Sequence, residues 1–177
     1  MLAKLSQLAT GPGAGSLSAL EALALELRLA VAKADYGAAV RLAQAAKDEL
    51  ARPESGEVLL SDLGRAYLYA REYELGASFF AALEAKAEAA LESIDSSMEL
   101  RESAILARYL SAFYPARYLR GRERWADAAK SFAAALPLAM DPADVDACLW
   151  YRIDSLAKVS RLQAALALTE AAPRIHD

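Results

Sequence analysis

Apolar residues recur along this chain at spacings of three and four, the interval that places them on one face of an α-helix. Leu20, Leu23, Leu27 and Ala30 form the first stripe, behind a capping box from Ser18 to Glu21, and it fades near Ala34. Asp35 then caps a second helix holding Val40, Leu42 and Ala46, which ends before Pro53-Glu54-Ser55-Gly56. The pattern predicts a third helix over 57–70 and a fourth over 73–93, where Glu84, Glu88 and Glu92 lie opposite Phe80, Leu83, Ala87 and Leu91. A fifth starts at Ser96 or Ser97 and runs, kinked at Pro115, to Arg120, with Gly121 as its breaker. A sixth reaches Leu136, a seventh runs from Asp141-Pro142 to about Lys158, and an eighth from Ser160 to Ala172, closed by Pro173. No stretch reads as a strand, and Val, Ile and Thr together number eleven, too few for a sheet. The expectation is an all-α chain of eight helices joined by short turns.

Three of these helices begin alike. Asp35-Tyr36, Glu72-Tyr73 and Arg124-Trp125 each set an aromatic at the start, and three residues on stand Ala39, Gly76 and Ala128. Seven residues after the aromatic come Ala43, Phe80 and Phe132. The aromatic wedges a turn, the small residue lets two helices touch, and a bulky one fills the next groove. Ahead of Tyr73, Leu60-x-x-Leu63-Gly64-x-x-Tyr67 brings a small residue one helix earlier.

These residues resemble the tetratricopeptide repeat (TPR), with Leu60 in place of its Trp and Gly76 in place of its Ala. The likeness is clearest over 57–90, weaker over 20–51 and 109–136, and weakest over 147–172, where Leu162, Ala165 and Thr169 take the three places. The aromatics stand 37 and 52 residues apart against the family's 34, so one hairpin is lengthened, and Pro115 replaces an expected Leu. The resemblance implies a right-handed α-solenoid of about four helix hairpins over 16–173, whose concave wall holds a peptide or protein segment. A loose arm over 1–15 precedes it and a short tail over 174–177 follows.

Counting eight residues back from Tyr36, Tyr73 and Trp125 reaches Arg28, Arg65 and Arg117, an arginine ladder on that wall. The same counting brings Tyr69, Phe113, Tyr114, Trp150 and Tyr151 near it. Guanidinium forks bind carboxylates and rings give contact area at low entropy cost, so an acidic or aromatic-bearing peptide is the expected partner. The alternative is that these arginines pair with neighbouring Glu and Asp. Lys and Asn side chains clamp a C-terminal carboxylate in some proteins of the family, and this chain contains no Asn. A second functional reading is a self-associating scaffold, a homodimer joined through the Leu-rich first helix and the Leu162–Leu168 segment.

Composition narrows the remaining classes. The net charge is −4 and 56% of residues are hydrophobic, which excludes a disordered chain and argues against nucleic acid as the partner. Six arginines over 101–124 make one locally basic element, but Tyr109, Tyr118 and Trp125 within it have a simpler use in helix packing. No apolar run is long enough to span a membrane, no export signal or paired Cys is present, and a cytoplasmic location is the default. Gly11, Gly13 and Gly15 lack the Lys-Ser or Lys-Thr of a phosphate loop. Cys148 and His176 are the single residues of their kinds, and Asp141, Asp144 and Asp146 lack the pattern of a calcium loop. The expectation is no enzyme, no cofactor and no metal.

Overall fold

The computed structural model describes residues 19–93 and 96–171, and their regular structure is helical throughout. Eight α-helices follow in order: α1 (Ala19–Ala32), α2 (Tyr36–Ala45), α3 (Lys47–Leu50), α4 (Glu57–Ala70), α5 (Tyr73–Glu92), α6 (Met98–Gly121), α7 (Trp125–Ala135) and α8 (Pro142–Ala171). Short 3-10 turns stand at Pro53–Ser55 and Leu136–Leu138. The arm over 1–15, Ser18 of the capping box, Pro173 and the tail over 174–177 lie outside the described residues.

One backbone turn occurs three times. Ala34, Arg71 and Glu123 take left-handed φ values of 59°, 61° and 58°. The amide of the next residue then closes onto the carbonyl five back: Asp35 on Ala30 at 2.9 Å, Glu72 on Tyr67 at 3.0 Å, Arg124 on Leu119 at 2.9 Å. These closures satisfy carbonyls that a helix end otherwise leaves open, which offsets the strain of a left-handed non-glycine residue. The aromatics Tyr36, Tyr73 and Trp125 then open α2, α5 and α7. Asp35 adds a side-chain cap, accepting from the Ala38 amide at 3.0 Å.

Each helix packs on its successors: α1 on α2, both on α4, α4 on α5 and α6, α5 on α6, α6 on α7, and α7 on α8. The small residues sit at the close approaches, as their spacing predicts. A Cβ at Gly64 would lie closer than 3.0 Å to the Tyr114 ring, and one at Gly76 would stand 2.7 Å from the Tyr118 ring and 2.8 Å from Tyr67 Cβ. Ala39 and Ala128 are fully buried. Tyr114 donates to the Ser61 carbonyl at 3.0 Å and Tyr118 to that of Gly64 at 3.2 Å, so both rings are pinned across the α4–α6 contact. Phe80 stacks on Tyr114 at 5.2 Å and Phe79 meets Tyr67 at 5.8 Å, completing an aromatic core.

Three expectations are corrected and one alternative, the start of the long helix at Ser97, is resolved. The helices expected over 142–158 and 160–172 are one, α8, so no fourth hairpin stands over 147–172 among the described residues. The helix runs through Ser160 without a break, and serine is compatible with its interior: Ser155 donates back to the Tyr151 carbonyl at 2.7 Å. The second helix stops at Ala45, where Ala46 leaves helical geometry with φ of −126°, and α3 is a separate turn. Ser97 starts α6, accepting from the Leu100 amide at 3.2 Å. Gly121 is the last residue of α6 and the left-handed position is Glu123; Gly121 is small because a Cβ there would stand 2.7 Å from Tyr73 Oη. No described helix is long and apolar enough to cross a membrane.

Candidate functional site

Charged and aromatic side chains form a continuous line across α1, α4, α6 and α8. Arg28 on α1 approaches Asp62 on α4, Nε to Oδ2 at 3.7 Å, and Arg65 pairs with the other carboxylate oxygen of Asp62. The Asp62 side chain is only 10% exposed, while those of Arg28 and Arg65 are 39% and 48% exposed. One buried carboxylate therefore holds two half-open guanidiniums side by side. The i, i+3 spacing within α4 brings Arg65 to Asp62, and the α1–α4 packing brings Arg28.

One helix further on, Arg117 of α6 lies over three rings: Tyr151 at 5.1 Å, Tyr114 at 5.8 Å and Phe113 at 5.9 Å. It is half-buried and makes no ion pair among the described residues. The rings supply a partial counter-charge through their quadrupoles. Burial pushes the Tyr114 phenol above its ordinary value, and the hydrogen bond to Ser61 and the charges of Arg117 and Arg65 pull it back. Two arginines of the line thus act on one phenol.

The line continues to Arg120, which pairs with Asp154 of α8 and lies 4.7 Å from the Tyr151 ring, 5.7 Å from Trp150 and 5.8 Å from Trp125. Phe113 and Tyr114 are buried, so they form the floor beneath Arg117, not a contact surface. Trp150 is 60% exposed and Tyr69 56%; Tyr69 leans on Tyr36 at 4.9 Å. Tyr151 is half-buried between Phe132 and Arg117. All eight residues singled out in the sequence thus fall on or beneath α1, α4, α6 and α8. Asp62, Arg120 and Asp154 were not singled out; only the i, i+3 spacing of Asp62 to Arg65 was there to be read.

Three of the other arginines over 101–124 have separate partners. Arg122 pairs with Glu74 at 2.7 Å, Arg124 with Asp127 at 2.7 Å, and Arg101 donates to the Ser93 carbonyl at 3.0 Å. They gather no common basic patch.

Beside the line, between α4, α6 and the start of α8, Glu57, Leu106, Tyr109, Met140, Asp141 and Asp144 border a cleft of about 250 Å³. Burial raises the Asp144 carboxyl above its ordinary value; a hydrogen bond from Tyr109 opposes this and the Asp141 charge adds to it. Asp141 accepts from the Ala143 amide at 2.7 Å, a capping role. Cys148 is buried with its thiol 4.0 Å from Tyr109 Oη, and burial pushes the thiol up, away from the thiolate a nucleophile needs. Among the described residues, no group of three or more His, Cys, Asp or Glu is placed to hold a metal ion.

Comparison with protein-family models, curated proteins and solved structures finds no match to this chain.

Proposed function

We propose that the surface shared by α1, α4, α6 and α8 is the concave wall of a right-handed, TPR-like solenoid that binds an acidic segment of a peptide or protein. The chain acts as an adaptor or as the sensing part of a regulatory system, without catalysis of its own. Three recurrences of one turn, each followed by an aromatic and then by Ala39, Gly76 or Ala128, support the repeat reading. Three such hairpins followed by the single helix α8 replace the four expected.

The observation that carries the function is Arg117. A half-buried guanidinium without a carboxylate partner, set on three rings, is desolvated and poised to accept one. Asp62 orients Arg65 and Arg28, Arg65 acts with Arg117 on the Tyr114 phenol, and exposed Tyr69 and Trp150 offer apolar contact. A charge-assisted hydrogen bond is worth about 1.5–3 kcal/mol, so loss of Arg117 weakens binding about 10- to 100-fold.

Fluorescence anisotropy with short peptides bearing paired Asp or Glu and one aromatic residue tests this. Wild type binds them and loses binding when Asp and Glu are changed to Asn and Gln, and Arg117→Gln loses it equally. Equal binding of the acidic and amide peptides overturns the reading.

A further inference from the structure

The exposed face of α8 carries an apolar stripe that none of the described residues covers. Leu149, Ile153 and Leu156 follow at i, i+4 and i+7 and are 37%, 65% and 47% exposed. The opposite side of the same helix is engaged: Cys148 reaches Tyr109, Tyr151 stacks on Phe132 at 5.3 Å, and Asp154 pairs with Arg120. In the three preceding hairpins, α1, α4 and α6 each pack against the helix that follows in the hairpin, α2, α5 and α7. Only α8, the last described helix, lacks such a cover.

We infer that the cover is the α8 of a second copy of this chain, lying antiparallel across the stripe. The charges along α8 specify both partner and direction. Its first half carries Asp144, Asp146 and Asp154 against Arg152, with Asp141 just before it, and its second half carries Lys158 and Arg161 against Glu170. At 100° per residue Asp146 and Arg161 fall on the same flank of the stripe, about 22 Å apart along the axis at 1.5 Å per residue. An antiparallel copy turned about a two-fold axis near residues 153 and 154 brings each Asp146 beside the other chain's Arg161, and does so twice. A parallel copy would set acid on acid and base on base. Asp146 and Arg161 are both exposed, and neither makes an ion pair within the described residues. Arg152 lies on the other flank close to the two-fold axis, where its two copies repel. It is a charge that opposes the pair. Leu149, Ile153 and Leu156 then meet their counterparts across the two-fold axis.

The pairing does not depend on what the inner surface binds, and its test requires no ligand. Analytical ultracentrifugation of the full chain over a range of concentrations reads the mass. Wild type should reach twice its 19.0 kDa. Ile153→Glu should raise the dimer dissociation constant at least about 30-fold, with helicity by circular dichroism unchanged because the side chain is exposed. Asp146→Arg alone should weaken the dimer about 10-fold, and Asp146→Arg with Arg161→Asp should restore it. Within one chain these two residues are too far apart to touch, so restoration identifies an antiparallel second copy. Arg152→Ala should tighten the dimer. A wild type that stays at 19.0 kDa up to high micromolar concentration overturns the inference, as does a dimer indifferent to Ile153→Glu or one not restored by the double exchange.

Discussion

Gly64→Ala separates close helix approach from ordinary helix propensity, because the two push in opposite directions. In a helix interior, Ala in place of Gly favours folding by about 1 kcal/mol. At Gly64 the new Cβ would lie closer than 3.0 Å to the Tyr114 ring, whereas carbon atoms settle at about 3.5–4.0 Å. The ring has nowhere to retreat. It stacks on Phe80 at 5.2 Å, meets Phe113 edge-on at 5.5 Å, and its hydroxyl is held by the Ser61 carbonyl at 3.0 Å. α4 and α6 must therefore part, and overpacking of this kind costs about 1–3 kcal/mol. With the ring pinned and the clash severe, the cost falls in the upper half of that range, about 2–3 kcal/mol, so the net loss is about 1–2 kcal/mol, which in a chain of this size lowers Tm by about 2–8 °C. Gly37→Ala is the control: its Cβ would meet only Arg41 Nη1 at 3.5 Å and Asp35 Oδ1 at 4.0 Å, so the substitution should raise Tm. Urea and thermal unfolding followed at 222 nm measure both. In a Tyr114→Leu background the Gly64→Ala penalty should vanish or reverse. A Gly64→Ala that is neutral or stabilising in the wild-type chain, or equally harmful with and without the ring, refutes the reasoning.

Three other outcomes follow from the same contacts. Asp62→Asn removes the carboxylate shared by Arg28 and Arg65; the variant should lose about 1–2 kcal/mol in urea unfolding yet bind acidic peptides more tightly, since both guanidiniums are released. Burial raises the phenols of Tyr67 (to about 12), Tyr109, Tyr114 and Tyr118, so the folded state holds protons that the unfolded chain gives up from pH 10. Stability should fall as pH rises above 10, and absorbance at 295 nm should show these four of the eight tyrosines ionising only as the helical signal is lost. Asp144 has a raised carboxyl, so its ionised form costs the folded state above that value. Asp144→Asn should be more stable than wild type at pH 7, and the advantage should disappear in acid, where wild type is already protonated.

The turns were legible because their chemistry is local. A wedge aromatic followed three residues later by Ala39, Gly76 or Ala128 marks both the helix start and the place where a neighbour comes close. The C-terminal helix was misread for an equally local reason. Ser160 is as suited to a cap as to a helix interior, and only the packing of α8 along α7 decides between them. The arginines of the inner line could be placed by counting from the turns, but their partners could not. Arg120 finds Asp154 34 residues away, and Asp62 is chosen over other nearby carboxylates because it is the one buried between α1 and α4. Phe113 and Tyr114 read as contact residues from their composition. Their burial depends on how deeply Gly64 lets α6 approach, which no spacing reveals. The stripe on α8 reads as core by its period, and becomes surface only because no hairpin partner follows among the described residues.

The most direct test of the binding surface is to watch the arginine Nε–Hε resonances by two-dimensional NMR while an acidic, aromatic-bearing peptide is added. Arg117 should move first and furthest, with Arg65 and Arg28 following, while Arg122 and Arg124, engaged with Glu74 and Asp127 at the α6–α7 turn, stay in place. Shifts centred on Arg122 and Arg124, or an unmoved Arg117 under saturating peptide, would contradict a carboxylate site on the line across α1, α4, α6 and α8.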